Sequence, residues 1–192
     1  MGRMTRPLVS LYLNREYVGY DTSKETAELN LKYAKLKFPD KMRRIIHGDG
    51  TELKEYKDKE NCFDAVFTCP PYYSLEKYSG EEGDLSHLEE QEYNKRIFIM
   101  FKNLYRLIKQ SNYKKQLFYP VIITVGSLRR GEYGLLDMDR VFQRLATKNG
   151  FVLHDKLITE NLTPGVGFAF RRNYCYKFVT KNYETTLIFL KY

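Results

Sequence analysis

Short apolar runs rich in β-branched and aromatic residues alternate along the chain with longer stretches whose apolar positions recur at helical spacing. The short runs predict strands at 17–21, 44–49, 63–69, 121–126, 151–158 and 185–191. The longer ones predict helices at 24–37, with Ala27, Leu31 and Ala34 on one face, and at 88–109, with Ile97, Phe101, Leu104 and Ile108 on another. A further helix at 139–148 is closed by Asn149-Gly150, and one more is expected at about 5–13. This alternation is the signature of an α/β sheet with crossover helices. In such sheets ligands collect at the carboxyl ends of the strands. Asp21, Asp49 and Cys69-Pro70-Pro71-Tyr72 close the first three strands and so belong on one edge.

Composition narrows the class. A chain of 192 residues, 43% hydrophobic, suits one domain spanning 1–192. Its longest apolar runs fall far short of the roughly 20 residues that cross a bilayer, and the start lacks the layout of a signal peptide. Three cysteines, at 62, 69 and 175, are too few and too spread for a disulfide framework or zinc cluster. A reducing cytoplasm is therefore the expected setting, and no metal is implied. The formal charge of +8 suits a polyanionic partner, although charge alone is weak evidence for one.

The distinctive chemistry lies in Thr68-Cys69-Pro70-Pro71-Tyr72-Tyr73, directly after Phe63-Asp64-Ala65-Val66-Phe67. Two successive prolines fix the backbone and offer carbonyls without competing N–H donors. Oxygens fixed in this way, accepting the protons of an exocyclic amine, would localise its lone pair on nitrogen for attack on a methyl electrophile. An aromatic ring just beyond could stack on a base extruded from its helix. A Pro-Pro turn can also simply end a strand, with Cys69 as a small buried hydrophobe.

This run resembles the catalytic motif of the S-adenosylmethionine-dependent amino-methyltransferases of DNA, in which Asp, Asn or Ser precedes Pro-Pro and Tyr or Phe follows. The resemblance implies a Rossmann-like sheet, mostly parallel with an antiparallel C-terminal strand, and transfer of a methyl group to the exocyclic amine of adenine or cytosine. By it, Cys69 and the Pro70 carbonyl would bind the amine, Pro71 would stiffen the turn and Tyr72 would stack on the base. Cys69 departs from the pattern, because a thiol is a weak acceptor. S-adenosylmethionine would be held by Asp21 at its ribose, by Asp49 and Gly50 at its adenine, and by Gly2 in Met1-Gly2-Arg3-Met4, which looks like the tail of a Gly-rich loop.

Tyr73, Arg129, Arg130, Arg171 and Arg172 are the expected nucleic-acid contacts, the last two within a stretch that interleaves cations with aromatics. His47, His87 and His154 have no partner spacing and receive no role. The family's first central strand and most of its Gly-rich loop have no counterpart here. That strand is expected between those ending at Asp21 and Cys69, so it would come from a second polypeptide or a longer chain, or the sheet would close differently. The partner is DNA, with RNA or a protein amide as alternative substrates; a nucleic-acid-binding subunit without activity of its own is the non-enzymatic alternative.

Overall fold

The structure is a computed structural model that describes residues 5–71, 80–81, 83–129, 135–160 and 183–192. Gly2, Tyr72, Tyr73, Arg130, Arg171 and Arg172 lie outside the described residues. Two compact units emerge, one of residues 1–62 and 71–107, the other of 63–70 and 108–192.

In the first unit, helix α1 (Thr5–Tyr12) precedes strand β1 (Tyr17–Asp21). Helix α2 (Lys24–Lys37) then leads to strand β2 (Arg43–His47). β1 and β2 pair in parallel, with Asp21 opposite His47. Parallel neighbours cannot be joined by a tight turn, and α2 is the crossover that makes the pairing possible. Ser23 caps α2, its hydroxyl oxygen accepting the Thr26 N–H at 3.2 Å. On the buried face Asn30 joins Ala27 and Ala34, while Leu31 is only half-buried. Burial of Asn30 is tolerated because its amide donates to the Thr26 carbonyl at 2.8 Å.

Helix α3 (Glu90–Leu107) belongs to the same unit and buries Tyr93, Ile97, Met100, Phe101, Leu104 and Leu107. Its polar side chains hold the irregular segment that follows β2. Asn103 donates to the Thr51 and Glu52 carbonyls at 2.9 and 3.1 Å, and Arg106 donates to the carbonyls of Tyr56 and Lys59. A segment whose only regular element is a single 3-10 turn at Lys54–Tyr56 must find such partners for much of its main chain.

In the second unit, strands β3 (Val66–Thr68), β4 (Val121–Val125), β7 (Val152–Glu160) and β8 (Tyr183–Leu190) form one sheet in the order β3-β4-β8-β7. β3 and β4 are parallel, and β8 runs against both β4 and β7. The strand expected over 63–69 is shorter: Phe63 makes only an isolated bridge to Ile108, and regular pairing starts at Val66. Two short strands that the sequence did not predict, β5 (Leu128–Arg129) and β6 (Leu135–Leu136), pair antiparallel after β4. Helix α4 (Met138–Lys148) buries Phe142, Leu145 and Ala146. It ends at Asn149-Gly150, where Gly150 takes the left-handed φ of 92° that favours glycine at a helix end. The core of this unit joins Val121, Ile123 and Val125 of β4 to Leu187, Phe189 and Leu190 of β8.

Among the described residues β1 pairs only with β2, and β3 only with β4, so each has one edge with no strand beside it. No helix among the described residues is long and apolar enough to cross a membrane. The clamp from α3 gives a direct expectation for stability. Replacing Asn103→Ala leaves two carbonyls without their donor and should lower the unfolding free energy by about 1–3 kcal/mol in urea denaturation. Lys102→Ala, on the exposed side of the same turn, should change it by no more than about 0.5 kcal/mol.

Candidate functional site

The carboxyl ends of β1 and β2 lie side by side in the first unit, joined by the Gly48 N–H donating to the Asp21 carbonyl at 2.9 Å. The Asp21 carboxylate accepts the Ser23 N–H at 3.0 Å, which turns the chain into α2 and leaves the helix cap to Ser23. Gly50 stands against Tyr20, and a Cβ placed there would lie 3.3 Å from the Tyr20 Cβ. Tyr20 in turn donates its hydroxyl to Glu55 at 2.7 Å. Burial, then the Glu55 carboxylate, push that phenol well above the ordinary tyrosine range.

Asp49 is engaged at both carboxylate oxygens. One accepts the Thr51 N–H and hydroxyl, each at 2.7 Å, and the other is ion-paired with Arg96 of α3. Arg96 also reaches Glu52 at 3.2 Å. Beside Asp49 lies a cavity of about 400 Å³ whose lining includes His47, Gly48, Glu52, Glu81, Glu92 and Arg96. His47 Nε2 lies 3.0 Å from the Thr22 carbonyl and 2.9 Å from Glu81. Both partners are acceptors, which assigns the proton to Nε2 and makes His47 a tie between the β2 end and the cavity rim. The carboxylates of the lining are balanced by cations: Asp49 and Glu52 by Arg96, Glu52 also by Lys54, and Glu92 by Lys95.

Cys69 and Pro70 follow β3 at its carboxyl end, Cys69 half-buried and Pro70 buried. Pro71 belongs to the first unit, where the hydroxyl of Tyr93 donates to its carbonyl at 2.9 Å. Tyr93 is only 2% exposed, and a buried phenol needs a partner for its hydrogen. Arg129, on the separate short strand β5, follows the carboxyl end of β4 in the chain. Glu160 and Tyr183, which flank 161–182, are paired at this same edge.

No protein-family model matches the chain, and no curated protein does. Solved structures do. A Thermus thermophilus protein assigned as a DNA modification methylase superposes with a TM-score of 0.52 at 19% identity, over 75% of this chain and 50% of that one. The cytosine-N4-specific PvuII DNA methyltransferase gives 0.55 at 20%, over 76% and 48%. A SAM-dependent methyltransferase of Methanosarcina mazei gives 0.56 at 14%, over 95% and 86%. The chain has the Rossmann-like methyltransferase fold. It spans about half the length of the solved methylases it matches. The same methyltransferase fold carries the cyclase SpnF, which gives 0.60 at 13% identity, so the fold alone does not fix the reaction.

Within that fold, the predicted residues fall into two sets. Asp21, Asp49 and Gly50 gather at the strand ends of the first unit, and Cys69, Pro70 and Arg129 lie in the second. Arg96, Tyr93 and Gly83 carry no motif or spacing that marks them in the sequence. Gly83 takes a φ of 89°, and a Cβ there would lie 2.9 Å from the Asp49 Cβ. Asp49 has little room to give way, because Thr51 holds one of its oxygens by two hydrogen bonds. Gly83→Ala should therefore cost at least about 1 kcal/mol, through both backbone strain and contact. Thermal unfolding would show it as a clear drop in Tm, whereas Glu81→Ala on the rim should change Tm little.

Proposed function

We propose that the chain is an S-adenosylmethionine-dependent methyltransferase acting on the exocyclic amino group of adenine or cytosine in DNA, with Cys69-Pro70-Pro71-Tyr72 as its catalytic segment. The observation that carries this reading is the position of Cys69-Pro70 at the carboxyl end of β3 in a methyltransferase fold, with the next carbonyl held by Tyr93. It is supported by solved neighbours that include a cytosine-N4-specific DNA methyltransferase and a DNA modification methylase solved with S-adenosyl-L-methionine.

S-adenosylmethionine supplies an electrophilic methyl on sulfur. The Pro70 carbonyl accepts a hydrogen of the target amine and directs its lone pair outward. Transfer of that methyl to the amine nitrogen would leave a surplus proton on the amine, which the Pro70 carbonyl would hold by hydrogen bond until water takes it. Cys69 contributes little to this, since a thiol accepts weakly. The backbone therefore carries the acceptor role, and Tyr93 acts as a positioning residue that fixes the peptide leading into Tyr72. With the cofactor bound, Asp21 would take the ribose hydroxyls, Gly50 would let the nucleoside approach, and Asp49 with Arg96 would line the cavity on the adenine side. Arg129, Arg130, Arg171, Arg172 and Tyr73 contact the DNA. The chain between Glu160 and Tyr183 leaves and re-enters the sheet at the edge that holds Cys69.

A second polypeptide that adds a parallel strand at the open edge of β1 would bring a Gly-rich loop to the strand end that carries Asp21. Calorimetric titration of the 192-residue chain with S-adenosylmethionine should accordingly show weak binding that tightens when a strand-and-loop complement is added. Tight binding by the chain alone would contradict this part of the proposal.

Labelled methyl transfer to unmodified DNA tests the catalytic segment. Tyr93→Phe should lower kcat about tenfold, the equivalent of one lost hydrogen bond, and leave KM for S-adenosylmethionine unchanged. Cys69→Ala should stay within about threefold of the parent, while Cys69→Asp, which restores a charged acceptor, should be about tenfold faster. A collapse of activity in Cys69→Ala would show that the thiol, not the backbone, does the work.

A further inference from the structure

The segment from Lys109 to Pro120, between α3 and β4, contains three lysines, three aromatic residues and no acidic residue. It is also closely tied down. Asn112 and Leu117 exchange backbone hydrogen bonds of 2.8 and 3.1 Å, and the Asn112 side chain accepts the Lys115 N–H at 3.1 Å. Gln116 completes the turn in the left-handed region, at φ 54°. Its base is fixed by the Ser111 N–H donating to the Lys191 carbonyl at 2.7 Å, and by the Tyr119 N–H donating to the Ser111 hydroxyl at 3.0 Å.

This rigid turn holds aromatic rings out in solvent. Tyr113 is 70% exposed and Phe118 42%. Phe118 lies 5.7 Å from the His154 ring of β7, at 30° between planes, and Tyr113 meets Phe118 edge-on at 6.2 Å. Lys114 and Lys115 stand exposed at the tip, while Lys109 is paired with Asp64 at 2.7 Å. A cluster that existed only to bury its own rings would not leave Tyr113 so open.

We infer that this turn is a binding platform for single-stranded nucleic acid, with bases stacking on Tyr113 and Phe118 and phosphates neutralised by Lys114 and Lys115. Flat exposed rings beside cations, with no competing carboxylate in the segment, are what sequence-tolerant strand binding requires. A second copy of the chain fits less well. Two partly exposed rings offer at most about 400 Å², against the roughly 800 Å² per partner of a stable interface. The platform stands at the amino ends of β3 and β4, the edge opposite Cys69. The five residues of β4 separate the two edges by about 16 Å, at about 3.3 Å per residue. It is therefore a second contact, separate from the one proposed around the target base, and does not depend on the chain being an enzyme.

Fluorescence anisotropy with a labelled single-stranded oligonucleotide of about 12 nucleotides, a length such platforms cover, tests it without cofactor. Tyr113→Ala should bind about tenfold more weakly, the loss of one stacked base, and Tyr113→Phe, which keeps the ring face, should bind like the parent. Lys114→Gln with Lys115→Gln should reduce the slope of log affinity against log salt by about 1.4. All these residues are exposed, so Tm should not move. Parental affinity in Tyr113→Ala with a parental salt slope in the lysine pair would overturn the inference. So would sedimentation showing that the parent is a dimer and Tyr113→Ala a monomer, because the patch would then be occupied by a second copy.

Discussion

Helix α3 carries the constraint on which the cavity beside Asp49 depends. The chain after β2 has little secondary structure of its own, and its carbonyls need donors that the sheet does not supply. Asn103 and Arg106 provide them at Thr51, Glu52, Tyr56 and Lys59. One turn and more towards the amino end of the helix, Arg96 fixes Asp49 and Glu52, and Tyr93 reaches the Pro71 carbonyl. These four side chains belong to a helix that also buries Ile97, Met100, Phe101, Leu104 and Leu107. A single rigid element thus positions the loop that closes the cavity and the second proline of the candidate catalytic segment.

That arrangement changes the meaning of Asp49. An acid at the end of the second strand invites a reading as a direct ligand to an adenine. Here its oxygens are already spoken for by Thr51 and Arg96, and Gly83 is packed against it. Asp49 shapes the cavity at least as much as it can contact a ligand. The Asp21 carboxylate accepts the Ser23 N–H, and the cap of α2 itself falls to Ser23. The methyltransferase fold is shared with a cyclase, and for this chain the case for methyl transfer rests on the Pro-Pro segment and the strand ends rather than on the fold.

Much of this was legible in the sequence because the signals were local. β1 and α2 fall where alternation and helical spacing place them, and Gly150 ends α4 as a glycine at a helix end should. β3 was read too long: Phe63-Asp64-Ala65 has a strand-like composition, but Phe63 bridges Ile108 and the parallel ladder with β4 begins only at Val66. β5 and β6 were invisible because a two-residue strand is defined by its partner rather than by any pattern of its own. The ties from Arg96 to Asp49 and from Tyr93 to Pro71 were equally hidden. Each joins segments far apart in the chain, and a buried tyrosine in a helix reads from sequence as one more apolar position.

The central claim is that the chain places a methyl group on an exocyclic amine of DNA. Its most direct test is to incubate the protein, alone and with the strand-and-loop complement, with isotopically labelled S-adenosylmethionine and unmodified DNA, and then to digest the DNA to nucleosides for mass spectrometry. The account predicts labelled N6-methyladenine or N4-methylcytosine, lost when Pro70 and Pro71 are both replaced by alanine. Label on a ring carbon of cytosine, or no label in DNA under conditions where S-adenosylmethionine is bound, would contradict it.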